Sequence, residues 1–136
     1  MPDAVARQRE GFEHELEIRE HRLIVDEPAE NGGTDKGPTP TELLAGSLAS
    51  CTSITLLMYA SRKEWDLGGI EVAVKFTEGS GGVPASFEVT IRMGAAEDLS
   101  DEQRERLLVI AGKCPVHRAL TANDVDVADS LEPLAA

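Results

Sequence analysis

Thr39-Pro40-Thr41-Glu42 opens the segment that most constrains how this sequence can fold. Thr39 is a helix cap by type, and Pro40 suits the first helical position, where its missing N–H costs nothing. Glu42, three residues after the cap, can reach back to the cap amide. Behind it Leu43, Leu44, Ser47, Leu48, Cys51, Ile54, Thr55 and Met58 recur at helical spacing. Ala45, Gly46, Ala49, Ser50 and Ala60 keep the rest of the surface thin. The pattern predicts a helix from Pro40 to about Arg62, packed on more than one side and therefore central.

Other elements arrange themselves around that helix. Phe12, His14, Leu16 and Ile18 alternate with Glu13, Glu15 and Glu17, the period of a half-buried strand with the first set inward. Arg22 to Val25 continues in kind, so the polar step at Arg19–His21 predicts a hairpin. The stretch DEPAENGGTDKGPTP, from Asp26 to Pro40, reads as a long irregular connection of the sort that carries function. Asp26 and Glu27 read there as loop-solubilising carboxylates, and Gly32, Gly33 and Gly37 do not form a phosphate-binding pattern. Ile70, Val72, Val74 and Phe76, then Phe87, Val89, Ile91 and Met93 beyond EGSGGVPA, predict an antiparallel pair. Ser100 and Gln103 repeat the capping grammar ahead of a helix through Ala111, ended by Gly112. Cys114-Pro115 opens a short helix through Leu120, and Val125 and Val127 predict a last strand. The order ββ-α-ββ-α-α-β is α+β, one domain over residues 1–136 with its core at about 12–131.

Charge narrows the partners. With 25 acidic against 13 basic residues the net charge is -12, and the basic residues are scattered. Such a surface repels phosphate backbones, so neither a nucleic acid nor an anionic membrane is expected. The apolar runs fall short of the roughly 18–20 residues of a membrane helix. MPDAVARQREGFEHELEIRE never opens an apolar h-region, and two cysteines are too few for a secreted disulfide scaffold, so a cytoplasmic location is expected. A chain of this size buries only about two-thirds of its unfolded surface, so a partner subunit would help it.

The two cysteines carry the chemistry. Cys114, as the cap before Pro115, would aim its sulfur at unpaired amides, with His117 and Arg118 near; this local reading favours Cys114 as the more acidic thiol. Cys51 sits among apolar residues but also beside Ser47, Ser50, Thr52 and Thr55. Its bland reading is a buried small hydrophobe. Together the sulfurs permit a thiolate to attack a peroxide, a sulfenic acid to form, and the second thiol to condense with it. External thiols would then reopen the disulfide. The spacing supplies both sulfurs but not their separation. Zinc binding by Cys51, Cys114 and His117 lacks ligand spacing. His14 reads as a packing residue, and Asp124, Asp126 and Asp129 as a solvent-facing edge.

GGTDKGPTPTELLAGSLASCTSITL, followed some sixty residues later by AGKCPVHRAL, resembles the family of osmotically inducible and organic-hydroperoxide-resistance proteins, closest to its general OsmC-like branch. The resemblance covers Phe12 to Leu131 and implies antiparallel sheets wrapped around two long central helices in an intertwined homodimer. It implies a thiol-dependent peroxidase that reduces organic hydroperoxides at the expense of thiols or dithiols, with no metal, haem or flavin. It makes Cys51 the peroxidatic residue and Cys114 the resolving one, reversing the local preference. It further implies an arginine–glutamate pair that activates the helix thiol. Arg19 and Arg22 are the candidates for the arginine, with Arg19 preferred because it is nearer the turn. In the family's peroxidase branches the glutamate directly follows the proline. Here Thr41 takes that place and Glu42 follows, about 100° further around the helix. That departure keeps open the alternative of a non-catalytic dimer holding a small apolar ligand in its interface cleft.

Overall fold

The computed structural model describes residues 2–135. The expected central helix, α1, runs Pro40–Lys63, and its capping box is complete. Glu42 N–H donates to Thr39 Oγ1 at 3.1 Å, and Thr39 N–H donates to Glu42 Oε1 at 2.8 Å. Ala45, Leu48, Thr52, Leu56 and Ala60 form its buried stripe. Against that stripe pack a hairpin, β4 (Ile70–Glu78) and β5 (Pro84–Met93), and two helices, α2 (Asp101–Ala111) and α3 (Pro115–Thr121). Leu56, Ala60, Leu67, Leu99, Leu107, Ile110 and Ala111 close the core. By length and apolar composition α1 matches a membrane-crossing helix, contrary to the expectation from the apolar runs. Its place here is as the core helix of an α+β fold.

Ahead of α1 stands a second, three-stranded antiparallel sheet of β1 (Val5–Glu10), β2 (Glu13–Ile18) and β3 (His21–Val25). Strand β1 is absent from the sequence reading because Arg7, Arg9 and Glu10 leave it without an apolar alternation. It is held instead by charge across the strands. Arg7 Nη1 bonds Glu17 at 3.0 Å, while Arg22 reaches Glu15 at 3.0 Å and Glu17 at 2.7 Å. The Arg7 guanidinium, and then Arg22, hold Glu17 below the usual carboxylate range. Opposite charges facing each other across neighbouring strands favour the register that brings them together. The expected β2 alternation does not appear in burial, since Glu15 and Glu17 are half-buried like His14 and Leu16. Phe12 and Ile18 are exposed and Glu13 is buried, with Arg9 at 3.3 Å and Lys36 at 3.6 Å. His14 Nδ1 donates to the Phe12 carbonyl at 2.8 Å, in keeping with a packing role.

Asp26 corrects the loop reading. It does not solubilise the connection but organises it from inside, being 1% exposed. Its carboxylate accepts from the Glu27 amide at 2.8 Å, the Thr34 hydroxyl at 2.8 Å, the Thr34 amide at 3.3 Å and the Lys36 amide at 3.2 Å. Two glycines allow the chain to wrap so tightly: a Cβ on Gly33 would lie 1.9 Å from the Glu27 carbonyl oxygen, and one on Gly37 2.1 Å from that of Ile24. The other correction is at the C-terminal end. Residues 123–135 form no strand, and Val125, Val127 and Leu131 are exposed. The segment pairs with none of the sheet edges among the described residues, and a lone strand is not stable by itself.

Burial pushes the Asp26 carboxyl up, but the Thr34 hydroxyl and the Glu27, Lys36 and Thr34 amides outweigh it, so the net shift is downward. A carboxyl shifted down stabilises the fold above its unfolded value of about 3.9 and loses that contribution as pH falls through the lower folded value. Asp26→Asn is therefore expected to lower the Tm at neutral pH, with the gap to the parent closing in acid. Thermal melts from pH 7 down to pH 3 test this, and a constant gap would contradict it.

Candidate redox site

Cys51 lies midway along α1, one helical turn beyond Leu48 and next to the buried Thr52. Cys114 is the N-cap of α3, where Pro115 takes the first helical position as expected. The fold joins them: Cys51 and Cys114 form a disulfide across 63 residues of sequence, with Cα atoms 6.0 Å apart. That separation lies in the ordinary range for a bridge. The two sulfurs are not equivalent. Cys114 is fully buried, whereas Cys51 keeps part of its surface.

Two of the hydroxyls around Cys51 are occupied. Thr52 Oγ1 donates to the Leu48 carbonyl at 2.8 Å and Ser50 Oγ to the Gly46 carbonyl at 2.9 Å. This back-bonding along the helix is what serine and threonine do in a helix interior. It makes these side chains helix-internal partners.

A cleft of about 480 Å³ opens beside the disulfide. Leu44 and Leu48 of α1 form one wall, Pro84, Phe87 and Val89 of β5 the second, and α3 the third with His117, Leu120 and Thr121. Leu48 is one turn before Cys51 and His117 one turn after Cys114, so the cleft opens within one helical turn of each cysteine, though neither lines it. Its size and largely apolar walls suit a small organic molecule. Nothing in the sequence marks Val83–Phe87 as a wall, because glycine-rich turns of this kind usually only connect strands.

The remaining sequence candidates stand elsewhere. Glu42 stays at the start of α1, engaged by the Thr39 amide, with nine residues or roughly 13 Å of helical rise between it and Cys51. Arg19 occupies the β2–β3 turn with φ +53°, its guanidinium exposed and 3.8 Å from Glu20. Arg22 is committed to Glu15 and Glu17, so of the two arginines Arg19 is the less tied. Among the described residues no cluster of three or more metal-ligating side chains occurs.

A core helix bridged by a dithiol pair to a short proline-started helix, within an α+β frame of two antiparallel sheets, defines a class of small two-cysteine proteins. The OsmC-like protein family model matches residues 33–128, and the chain belongs to that family. Solved structures agree on the fold. A protein of Psychrobacter arcticus described for osmotic stress induction and detoxification response superposes with a TM-score of 0.80 at 23% identity, over 88% of each chain. An OsmC-like protein of Mycoplasma pneumoniae gives 0.72 at 19% identity, covering 89% of this chain and 87% of that one. The organic hydroperoxide resistance protein OhrB of Bacillus subtilis gives 0.58 at 23% identity, covering 88% and 91%. No curated protein matches.

The bridge has a measurable effect. Closing a loop of this length removes about 4 kcal/mol of chain entropy from the unfolded state. Cys114→Ser is expected to lower the urea midpoint of the oxidised protein by a corresponding margin. Reduced parent and variant should unfold at nearly the same concentration. Equal midpoints for oxidised parent and variant would show that the bridge is not formed in solution.

Proposed function

We propose that this chain is a thiol-dependent peroxidase that reduces organic hydroperoxides, with Cys51 attacking and Cys114 resolving. The carrying observation is the pairing itself: two cysteines distant in sequence are joined, Cys51 keeps part of its surface, and a largely apolar cleft opens within one helical turn of each. A peroxide from solvent meets Cys51, since Cys114 has no exposed surface. The Cys51 thiolate attacks the distal peroxide oxygen, the O–O bond breaks, and the alkoxide leaves as alcohol after protonation. Cys51 is then a sulfenic acid. The Cys114 sulfur displaces its hydroxyl as water and forms the disulfide, and two external thiols reduce that bridge and leave as their own disulfide. The apolar cleft walls favour an alkyl or aryl hydroperoxide over hydrogen peroxide.

The working unit in this proposal is a homodimer in the cytoplasm, where reducing thiols are plentiful. Ile54, Leu57 and Met58 of α1 and Leu108 and Val109 of α2 stand exposed, surface that a second copy would cover. Arg19, on the outlying hairpin, would be presented to the other subunit's Cys51, there favouring the thiolate and the charge developing on attack. Glu42, one position past the site where the family's peroxidase branches carry their glutamate, would orient that arginine from the helix start.

Cumene hydroperoxide with a dithiol reductant tests the proposal. Cys51→Ser is expected to abolish turnover. Cys114→Ser should consume one equivalent of peroxide, leave a Cys51 sulfenic acid trapped by dimedone, and cycle poorly. Arg19→Ala should slow the first oxidation while leaving the Tm near that of the parent, because the side chain is exposed. Normal turnover by Cys51→Ser would end the proposal. A non-covalent organic adduct in native mass spectra, with thiols inert to peroxide, would favour the ligand-binding alternative.

A further inference from the structure

Three helices of this chain open on the same pair of positions, the N-cap and the third helical residue, whose side chains face one another. In α1 the pair is Thr39 and Glu42, in α2 Ser100 and Gln103, and in both the side chains bond reciprocally to backbone amides. In α3 the pair is Cys114 and His117, and the reciprocal bonds are not made. The Cys114 sulfur is in the bridge, and the Cys114 N–H turns instead to the Ala111 carbonyl at 3.4 Å. His117 Nδ1 is left buried and without a hydrogen-bond partner among the described residues. A buried polar atom in that condition costs free energy, which the third residue of the other two helices avoids. The cost is retained at the one helix start whose cap is a sulfur.

We infer that His117 is the proton-transfer residue of the disulfide step. With the proton on Nε2, Nδ1 is an acceptor, carried by the helical position whose side chain the capping grammar turns back toward the cap. When the bridge closes on a Cys51 sulfenic acid, Nδ1 takes the proton from the Cys114 thiol. The Cys114 sulfur forms its bond to the Cys51 sulfur, the S–O bond breaks, and the departing hydroxide takes that proton and leaves as water. When an external thiol reopens the bridge at Cys51, the imidazole takes up the proton that thiol releases on ionising and passes it to the departing Cys114 thiolate. Charge and protons balance, and the histidine returns unchanged. The cleft residues of α1, β5 and α3 around His117 are non-ionisable, while Lys113 and Arg118 on its own segment are exposed. Cys114 and Cys51 are therefore the titrating groups beside it.

The oxidant in this account rests on the peroxidase proposal, but the proton transfer does not, so the test omits peroxide. Reduced full-length protein is mixed with oxidised glutathione, and closure of the bridge with release of glutathione is followed by acid quench and mass spectrometry from about pH 5 to 9. The parent is expected to show a second inflection besides that of the thiols. His117→Asn and His117→Gln should lose that inflection and close at least tenfold more slowly near pH 7. Two variants guard against one that does not fold. If both fold and keep the parent's rate and pH profile, His117 is a structural residue and the inference is wrong. If the profile changes as expected while cumene hydroperoxide leaves no sulfenic acid, the peroxidase proposal fails and the role of His117 stands.

Discussion

Ala45, Leu48, Thr52, Leu56 and Ala60 recur every three or four residues along α1, and the burial of that stripe positions the apolar core of the molecule. The β4–β5 hairpin, α2 and α3 all pack against this one helix. Alanine at both ends of the stripe lets neighbours approach, while Leu48 and Leu56 fill the middle. Burying a leucine contributes about 1.5–3 kcal/mol, so the stripe also supplies a large share of the hydrophobic driving force. Cys51 sits one position from its centre, at the border between the packed side and the accessible one. A thiol further round the helix would be solvated and out of reach of α3. One deeper in the stripe would be closed to any substrate.

The molecule divides its forces by region. Around α1 the cohesion is apolar, whereas in the three-stranded sheet it is electrostatic, carried by Arg7, Glu15, Glu17 and Arg22 across neighbouring strands. Between the two regions the polypeptide is held by a buried carboxylate, Asp26, and by two close backbone approaches at Gly33 and Gly37. The connection is thus as ordered as the elements that it joins. That rigidity fixes where α1 begins relative to the outlying sheet, and with it the direction in which the Arg19 turn projects.

Much of this was legible before any coordinates. Capping boxes announce α1 and α2 because their residues act within one turn, independently of the rest of the chain. The β4–β5 pair is legible because one face is wet and the other packed, which writes a period of two. The failures share a cause, which is that the deciding partner is remote in sequence. Strand β1 needs Glu17 and a hairpin turn to exist at all. Asp26 looks like any acidic loop residue until Thr34 and Lys36 fold back onto it. Val125 and Val127 have strand periodicity, but the segment joins no sheet edge among the described residues. Periodicity could name two sulfurs and a proline-started helix, but their meeting across 63 residues is a tertiary fact. The cleft has no local signature, because three separate elements each supply one side of it.

The unequal burial of the two bridge sulfurs makes the exchange chemistry polarised. An incoming reductant must approach in line with the bond it breaks, and Cys114 offers no surface from which to do so. The mixed disulfide with a small thiol therefore forms on α1, and the leaving sulfur is always the one on α3. Each reductive event starts by untethering α3 from the core helix, so a bulky protein reductant would engage the molecule only through the face that carries Cys51.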